Sequence, residues 1–371
     1  MAGYVERGEI PGMVTLVSRG DELHVDAIGS MTPDGPPMGR DAIFRLASMT
    51  KPIVAVAILS LIEECRLRLD DPVDRWLPEL ANPRVLTSVD ASIDDTVPAN
   101  RAITVRDLLD FRLGYGILLA PDTYPIQVAI RDRQIISPPP LVPPPPDEWI
   151  RRLGSLPLLS QPGESWYYNT GSDIQGILIQ RVTGQSLGAF LDERIFGPLG
   201  MTDTGFVVPK EKLDRLPGLY GPGLEPVLDN DWTAEPTIQS GAAGLVSTVD
   251  DYVTFARMLM NFGKHGDERI LARPTVELMT TDQLTAQQKV DGIEFLNGRG
   301  WGFGVAVATA RTGVAVVPGQ YGWDGGTGTS WRSTPSEDLI TILLTQRTLD
   351  GPPPPPAPLD LPTLAFQAID D

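Results

Sequence analysis

The sequence predicts an α/β (α+β) protein in which one sheet is assembled from both ends of the chain and a helical region is inserted between them. Three observations carry this prediction. Extended apolar runs lie near the N-terminus, in "GMVTLVSRGDELHVDAIG" (12–29). They return near the C-terminus in "WGFGVAVATA" (301–310), "GVAVVPG" (313–319) and "DLITILLTQR" (338–347), all read as strands. Between them, helix-period segments with capping residues fill most of the chain, and no internal repeat interrupts the order.

Each element has its own reason. Residues 12–29 read as a β-hairpin because two extended stretches flank Arg19-Gly20-Asp21. Residues 53–65 are apolar with hardly a break, which predicts a helix buried on most sides. Cys65, the sole cysteine, lies in that run; it cannot form an internal disulfide and is expected as a reduced core residue. "RLDDPVDRWLPEL" (68–80) reads as a turn and short connection. In "ITVRDLLDFRLGYG" (103–116), Thr104 is a fitting N-cap for a short helix. "TGSDIQGILIQRVTGQSLGAFLDERIF" (170–196) reads as two helices split at Thr183-Gly184, and "STVDDYVTFARMLMNFG" (247–263) as a capped amphipathic helix ending at Gly263. "DLPTLAFQAIDD" (360–371) is expected as a closing helix. Two proline-rich stretches, "SPPPLVPPPP" (137–146) and "GPPPPPAP" (351–358), are expected as stiff surface connections; the alternative is a recognition segment for a proline-binding module.

Composition narrows the function classes. A net charge of −18 over 371 residues argues against nucleic acid or an anionic membrane surface as partner. No run of eighteen apolar residues is present, so no transmembrane helix is expected. "MAGYVERGEIPGMV" carries acidic residues and a proline where a signal peptide needs an unbroken apolar stretch, so a cytoplasmic location is expected. The chain has two histidines, His24 in the hairpin and His265 in the polar turn "GKHGDE", and neither sits in a motif. G-x-S-x-G is absent, so a Ser-His-Asp hydrolase is poorly supported. A zinc site lacks ligands, and neither a metal nor an organic cofactor is expected.

The chemical signal is Ser48-x-x-Lys51, followed by Pro52 at the entrance of the apolar helix. Residues three apart share a helix face, so the hydroxyl and the amine can meet there. Proline is tolerated in the first helical turn, where backbone N–H groups have no intrahelical partner. The positive end of the helix favours an oxyanion beside Ser48. A lysine stripped of water at such a place has a lowered pKa and can serve as a neutral base. Five lysines and 17 serines give about 0.2 chance matches to this pattern, and the chain contains one. The bland alternative is that Ser48 caps the helix and Lys51 is solvated.

At these residues the chain resembles a known superfamily. "RLASMTKPIVAVAILSLIEE" (45–64) followed by "LRLDDPVDRWLPEL" (67–80) looks like the first motif region of the serine β-lactamases and penicillin-binding proteins. "ITVRDLLDFRLG", "QPGESWYYNTGSDIQG" (161–176), "RIFGPLGMTDTGF" (194–206), "GAAGLVSTVDDYVTFARMLMNFG" (241–263) and "YGWDGGTGTSW" (321–331) fit the same pattern. The likeness is greatest to class C β-lactamases and the family VIII carboxylesterases related to them. It runs from about Gly8 to the final helix.

The resemblance implies a β-lactamase/transpeptidase-like fold: an antiparallel sheet flanked by helices, plus a mostly helical subdomain, with the active site between. One domain over 1–371 is expected, with approximately 1–80 and 240–371 forming the α/β part and 81–239 the helical part. The resemblance makes Ser48 the nucleophile, with Lys51 and a tyrosine sharing its proton. Laid without a gap on the esterase-like pattern PG-x-x-W-x-Y, "PGESWYYNTGSD" selects Tyr168, with Trp166 and Asp173 also matching. The pattern Y-x-N selects Tyr167 with Asn169 instead, but needs a gap. By the same correspondence the backbone N–H groups of Ser48 and Gly326 form the oxyanion hole, and Trp323 and Gly325 line the substrate pocket.

The third motif departs from the pattern. β-Lactamases and D-alanyl-D-alanine peptidases usually carry Lys-Thr-Gly or His-Thr-Gly there, with the basic residue holding the substrate carboxylate. Here the triplet is Trp323-Asp324-Gly325. Tryptophan cannot pair with a carboxylate, and Asp324 is expected to repel one, so the expected substrate is a small neutral acyl ester. Core packing is the bland reading of Trp323. "FRLGYG" (111–116) stands where relatives often have a His-Thr-Ser-Gly-like stretch, and nothing beyond lining the pocket is assigned to it. Three other readings stay open: a β-lactamase, peptidase or amidase on the same machinery; an acyltransferase; and a catalytically silent binding module. Oligomeric state is not legible in the sequence.

Overall fold

The two ends of the chain meet in one sheet. The structure, a computed structural model, describes residues 1–135, 143–352 and 355–370. Strands β1 (Gly12–Arg19) and β2 (Glu22–Gly29) form the expected hairpin, in register from Gly12↔Gly29 to Arg19↔Glu22, with Gly20-Asp21 as its turn. Gly20 adopts φ +55, the left-handed conformation that two-residue hairpin loops require. A 3-10 turn, Ala47–Met49, leads into helix α1 (Thr50–Glu63), which is buried from Thr50 to Leu61. The near-continuous apolar run is thus explained by burial on all sides rather than on one face.

Helix α2 (Val105–Leu109) starts at Thr104, which with Asp107 forms a capping box. Helix α3 (Thr170–Thr183) stops at Gly184, φ +77, and the expected second helix follows at Leu187–Leu191. Helix α4 (Val249–Met260) is capped by the Thr248 side chain, and Gly263 (φ +91) turns the chain three residues after its end. Then come β3 (Gly300–Trp301), β4 (Ala306–Val307), β5 (Tyr321–Gly325), β6 (Thr329–Thr334), β7 (Leu339–Thr345) and the closing helix α5 (Pro356–Phe366). Among the described residues the main sheet has the order β2-β1-β7-β6-β5-β4-β3, with every neighbouring pair antiparallel.

Strand β7 shows why the sheet is covered on both faces. Its alternation sends Ile340, Ile342 and Leu344 into the main core with Phe255 and Trp331. Leu343 points the other way, into a cluster with Met13, Ala357 and Leu361 of α5. Each fully buried aliphatic side chain of this kind contributes about 1.5–3 kcal/mol.

Several expectations are corrected. Cys65 is exposed, not buried: α1 ends at Glu63, and Cys65 sits in a turn at φ +58, off the apolar surface. Residues 301–310 are not one strand, because Gly302–Val305 leaves the sheet to pack on α1. A Cβ on Gly304 would lie 2.6 Å from the Ala55 Cβ. "GVAVVPG" is a loop with Val314 exposed. The strand beside the serine that the resemblance implies for Trp323-Asp324-Gly325 is β5, and it pairs antiparallel with β6. Of the proline stretch 351–358, Pro356–Pro358 begin α5 rather than connect elements, and proline is permitted there because first-turn N–H groups need no helical partner. Residues 353–354, like 137–142 of the other proline stretch, lie outside the described residues.

Candidate active site

Ser48 lies in the 3-10 turn that precedes α1, and several elements hold that turn. Tyr252 of α4 is buried and donates its hydroxyl to the Met49 carbonyl at 3.0 Å. Thr329 and Thr327 donate to the carbonyls of Leu46 (3.0 Å) and Arg45 (2.5 Å). Phe44–Arg45 pairs with Val246–Ser247, tying the approach to Ser48 to the start of α4. Ala47 adopts φ +45, a conformation that costs a non-glycine residue energy and persists only where surroundings enforce it.

Lys51 is fully buried. Its Nζ lies 2.9 Å from Ser48 Oγ, 2.8 Å from Asn169 Oδ1 and 2.7 Å from the Ala242 carbonyl oxygen. An ammonium there donates to all three oxygens. Burial pushes its pKa down from 10.5 to about 7, and the partly opposing influence is the Asp173 carboxylate. Asp173, on α3, accepts from Ser240 Oγ (2.6 Å) and the Ala242 N–H (3.2 Å), so it braces the loop that presents Ala242 to the lysine.

Of the two candidate tyrosines, Tyr168 faces the serine. Its hydroxyl stands close enough to Ser48 to act on it, its ring lies 4.6 Å from Lys51 Nζ, and burial raises its pKa well above the ordinary value. Tyr167 is directed elsewhere, toward Ser160 and Ser165. Asn169 adopts φ 87, ψ −66, the strained form of γ-turn, closed by the Thr170 N–H to the Tyr168 carbonyl at 3.3 Å. This turn points Tyr168 and Asn169 at the same lysine–serine pair. In the sequence Asn169 served only to mark a rival alignment; its role as a Lys51 partner went unread.

Trp323 does more than pack. Its indole N–H donates to the Tyr168 hydroxyl oxygen at 2.6 Å. Both rings belong to an aromatic cluster with Phe111, Trp166, Trp301 and Phe295, in which Phe295 stacks on Tyr168 at 4.5 Å. Asp324 requires a correction: it does not stand as a free repelling charge. Arg332 donates to it at 2.7 Å, Ser330 at 2.7 Å, and the Arg299 guanidinium lies 3.6 Å away, over the Trp323 ring. Those cations hold the Asp324 carboxyl below its ordinary pKa despite burial. The case against a substrate carboxylate therefore rests on Trp323 and not on Asp324.

Gly325 abuts the turn: a Cβ there would lie 2.2 Å from the Leu46 carbonyl oxygen. Gly326 is the opposite case, since a Cβ on it would meet nothing within 4 Å. Strand β5 thus runs against the serine turn at Gly325 and opens onto free space at Gly326, where an oxyanion donor would have to stand. Neither histidine is near: both are exposed, His24 on β2 and His265 in a short two-stranded turn. Among the described residues no cluster of metal-ligating side chains occurs, and no helix is long and apolar enough to cross a membrane.

Three known proteins are similar to this chain. Protein Rv1367c of Mycobacterium tuberculosis is 37% identical over 362 residues, covering 93% of this chain and 88% of its own. Esterase EstB of Burkholderia gladioli is 34% identical over 370 residues, covering 92% and 87%. The solved structure of EstCE1, described as a hydrolase with promiscuous acyltransferase activity, superposes with TM-score 0.80 at 26% identity, covering 98% of this chain and 96% of that one. The fold is that of the β-lactamases and transpeptidases, and the family is one of serine hydrolases with esterase and acyltransferase relatives. With the beta-lactamase family matched over residues 1–362, the chain belongs to that family.

Proposed function

We propose that the protein is a carboxylesterase that cleaves small acyl esters through an acyl-enzyme on Ser48. The observation that carries this is that Ser48 Oγ stands between Lys51, whose Nζ lies 2.9 Å away, and the Tyr168 hydroxyl, which accepts from the Trp323 N–H at 2.6 Å. With Lys51 neutral, every proton among these groups has one place. The lysine's two hydrogens go to the carbonyl oxygens of Asn169 and Ala242, and its lone pair faces the Ser48 O–H. Tyr168, which burial keeps protonated, accepts from the Trp323 N–H, and its own proton is left to turn toward Ser48 Oγ.

In acylation Ser48 Oγ attacks the ester carbonyl as its proton passes to Lys51. Tyr168 gives a proton to the departing alkoxide and is resupplied from Lys51. The N–H groups of Ser48 and Gly326 carry the oxyanion. Water then takes the alcohol's place, and the same transfers run in reverse to free the acid. Trp323 cannot pair with a β-lactam or peptide carboxylate, the Arg299 cation over its ring is balanced by Asp324, and the aromatic surface around Tyr168 suits a neutral acyl group.

The test is hydrolysis of p-nitrophenyl butyrate by the wild type and Ser48→Ala. Turnover that vanishes in the variant supports the reading, and turnover that survives it removes Ser48 as nucleophile. Acyl transfer is the second reading, favoured by the description of EstCE1. Butyl ester formed on adding butanol separates it from hydrolysis.

A further inference from the structure

A base must be aimed as well as neutral. Two of the oxygens around Lys51 Nζ, Asn169 Oδ1 and the Ala242 carbonyl oxygen, decide where its lone pair can point, and both answer to helix α3. Asn169 immediately precedes that helix, and Asp173 lies in its first turn. Asp173 Oδ1 accepts from Ser240 Oγ at 2.6 Å and from the Ala242 N–H at 3.2 Å. Ser240 Oγ in turn accepts from the N–H groups of Ala242 and Ala243, each at 3.2 Å. Ala242 is thus held at both of its polar groups, its N–H by α3 and its carbonyl by Lys51 at 2.7 Å. We propose that Asp173 is the positioning residue for Lys51: it holds the Ser240–Ala242 turn so that the Ala242 carbonyl takes one lysine hydrogen, and its negative charge sets the pH at which the amine is free to act on Ser48. The proposal deepens the ester-hydrolysis reading and rests on it for the role of Lys51 as base.

The turn is wedged where a small shift would reach the lysine. A Cβ on Gly241 would lie 2.2 Å from the Ser172 carbonyl oxygen on α3 and 3.4 Å from Val54 Cγ1 on α1. A little further on, the Leu245 N–H donates to Thr50 Oγ1 of α1 at 3.1 Å. These contacts fix how near the turn stands to both helices. The bonds to Asp173 fix which way Ala242 faces, because its N–H is drawn toward α3 while its carbonyl is left to the lysine.

Charge adds a second effect. Asp173 is half-buried in the first turn of α3, where the helix favours an ionised carboxylate. Burial raises its pKa above the ordinary value, against the opposing pull of Ser240, Lys51 and the Ala242 N–H. The carboxylate in turn favours the charged form of Lys51, against the larger effect of burial. Of the other titratable groups nearby, Tyr168 is kept protonated by burial, and Asp324 on β5 is paired with Arg332. Taking away the charge of Asp173 while keeping its acceptor oxygen therefore leaves Lys51 neutral at lower pH. Taking away the Ser240 hydroxyl keeps the charge and loosens the turn.

The experiment follows the amine and the rate separately, with thermal unfolding to establish that each variant is folded. The chain has five lysines, so carbon-13 labelling at lysine Cε gives few NMR signals to titrate, and Lys51→Met identifies the one that belongs to Lys51. In Asp173→Asn that signal should titrate about one pH unit lower than in the wild type. The acid limb of kcat/KM for p-nitrophenyl butyrate should move to lower pH with it. Ser240→Ala should lower kcat about tenfold with KM little changed, the scale of one hydrogen bond that aims a reacting group. A role in stability alone would lower the melting temperature and move neither the lysine signal nor the limb. A Lys51 titration that Asp173→Asn leaves unmoved, or a kcat that Ser240→Ala leaves unchanged, overturns the proposal. Should Asp173→Asn not fold, Ser240→Ala decides alone. The NMR titration needs no turnover, so a wild type inactive on p-nitrophenyl butyrate whose Lys51 signal still shifts in Asp173→Asn would sink the esterase reading and leave the hold of Asp173 on the lysine standing.

Discussion

Lys51 is the residue whose chemistry depends most on where it sits. In water it would be a cation; fully buried, its pKa falls to about 7. If it is the base, kcat/KM for p-nitrophenyl butyrate rises with pH through about 7, since the neutral amine is the active form. A profile flat from pH 6 to 8.5 would remove Lys51 from that role. Trp323 makes a subtler test. Trp323→Phe keeps an aromatic ring but deletes the N–H that Tyr168 accepts. The loss of one hydrogen bond to a reacting group should lower kcat by about tenfold, with KM for a neutral ester little changed and the melting temperature within a few degrees. An unchanged kcat would return Trp323 to packing alone. The S-x-x-K spacing was legible in the sequence because it depends on one helical turn. Asn169 and Ala242 were not, because they reach Lys51 from 118 and 191 residues away.

At the scale of elements, the serine turn is held by contacts that no single segment contains. Strand β5 approaches it so closely at Gly325 that a Cβ would sit 2.2 Å from Leu46 O. Gly325→Ala should therefore push β5 away from the turn and misplace Gly326. The expected loss in kcat is about 10²–10³, the range for losing one oxyanion donor, and a full-rate, fully stable Gly325→Ala would contradict this packing. Helix α4 contributes the Tyr252 hydroxyl to Met49 O. Tyr252→Phe leaves that buried carbonyl short of a partner, at a cost of about 1–3 kcal/mol in denaturant unfolding. Capped elements such as α2 and α4, and the β1–β2 hairpin, follow from local sequence. The β5–β6 hairpin does not, because Gly322 and Gly325 answer to neighbouring backbone rather than to strand propensity.

For the whole molecule, burying a lysine links folding to pH. The folded pKa of Lys51 is depressed to about 7 from 10.5, so between those values the unfolded chain binds more protons and stability increases as pH rises. Below about 7 the full penalty of a buried cation applies. From pH 7 to pH 9 this one group should add on the order of 2 kcal/mol to the unfolding free energy. Denaturant unfolding at both pH values checks it, and Lys51→Met should lose that increment. An increment unchanged in the variant would assign the pH dependence to other groups.

The sequence by itself determined the frame: a hairpin at one end, strands and a helix at the other, capped helices between, and a serine one helical turn before a lysine at the mouth of an apolar helix. These are local, because periodicity, capping and i,i+3 spacing act over a few residues. Only the tertiary structure decided that Tyr168 rather than Tyr167 meets Ser48 and that Trp323 donates to it. It also decided that Asp324 is neutralised by Arg332 and that Cys65 faces solvent. Those outcomes depend on which distant backbones come within contact distance, and nothing within a few residues of each position encodes that.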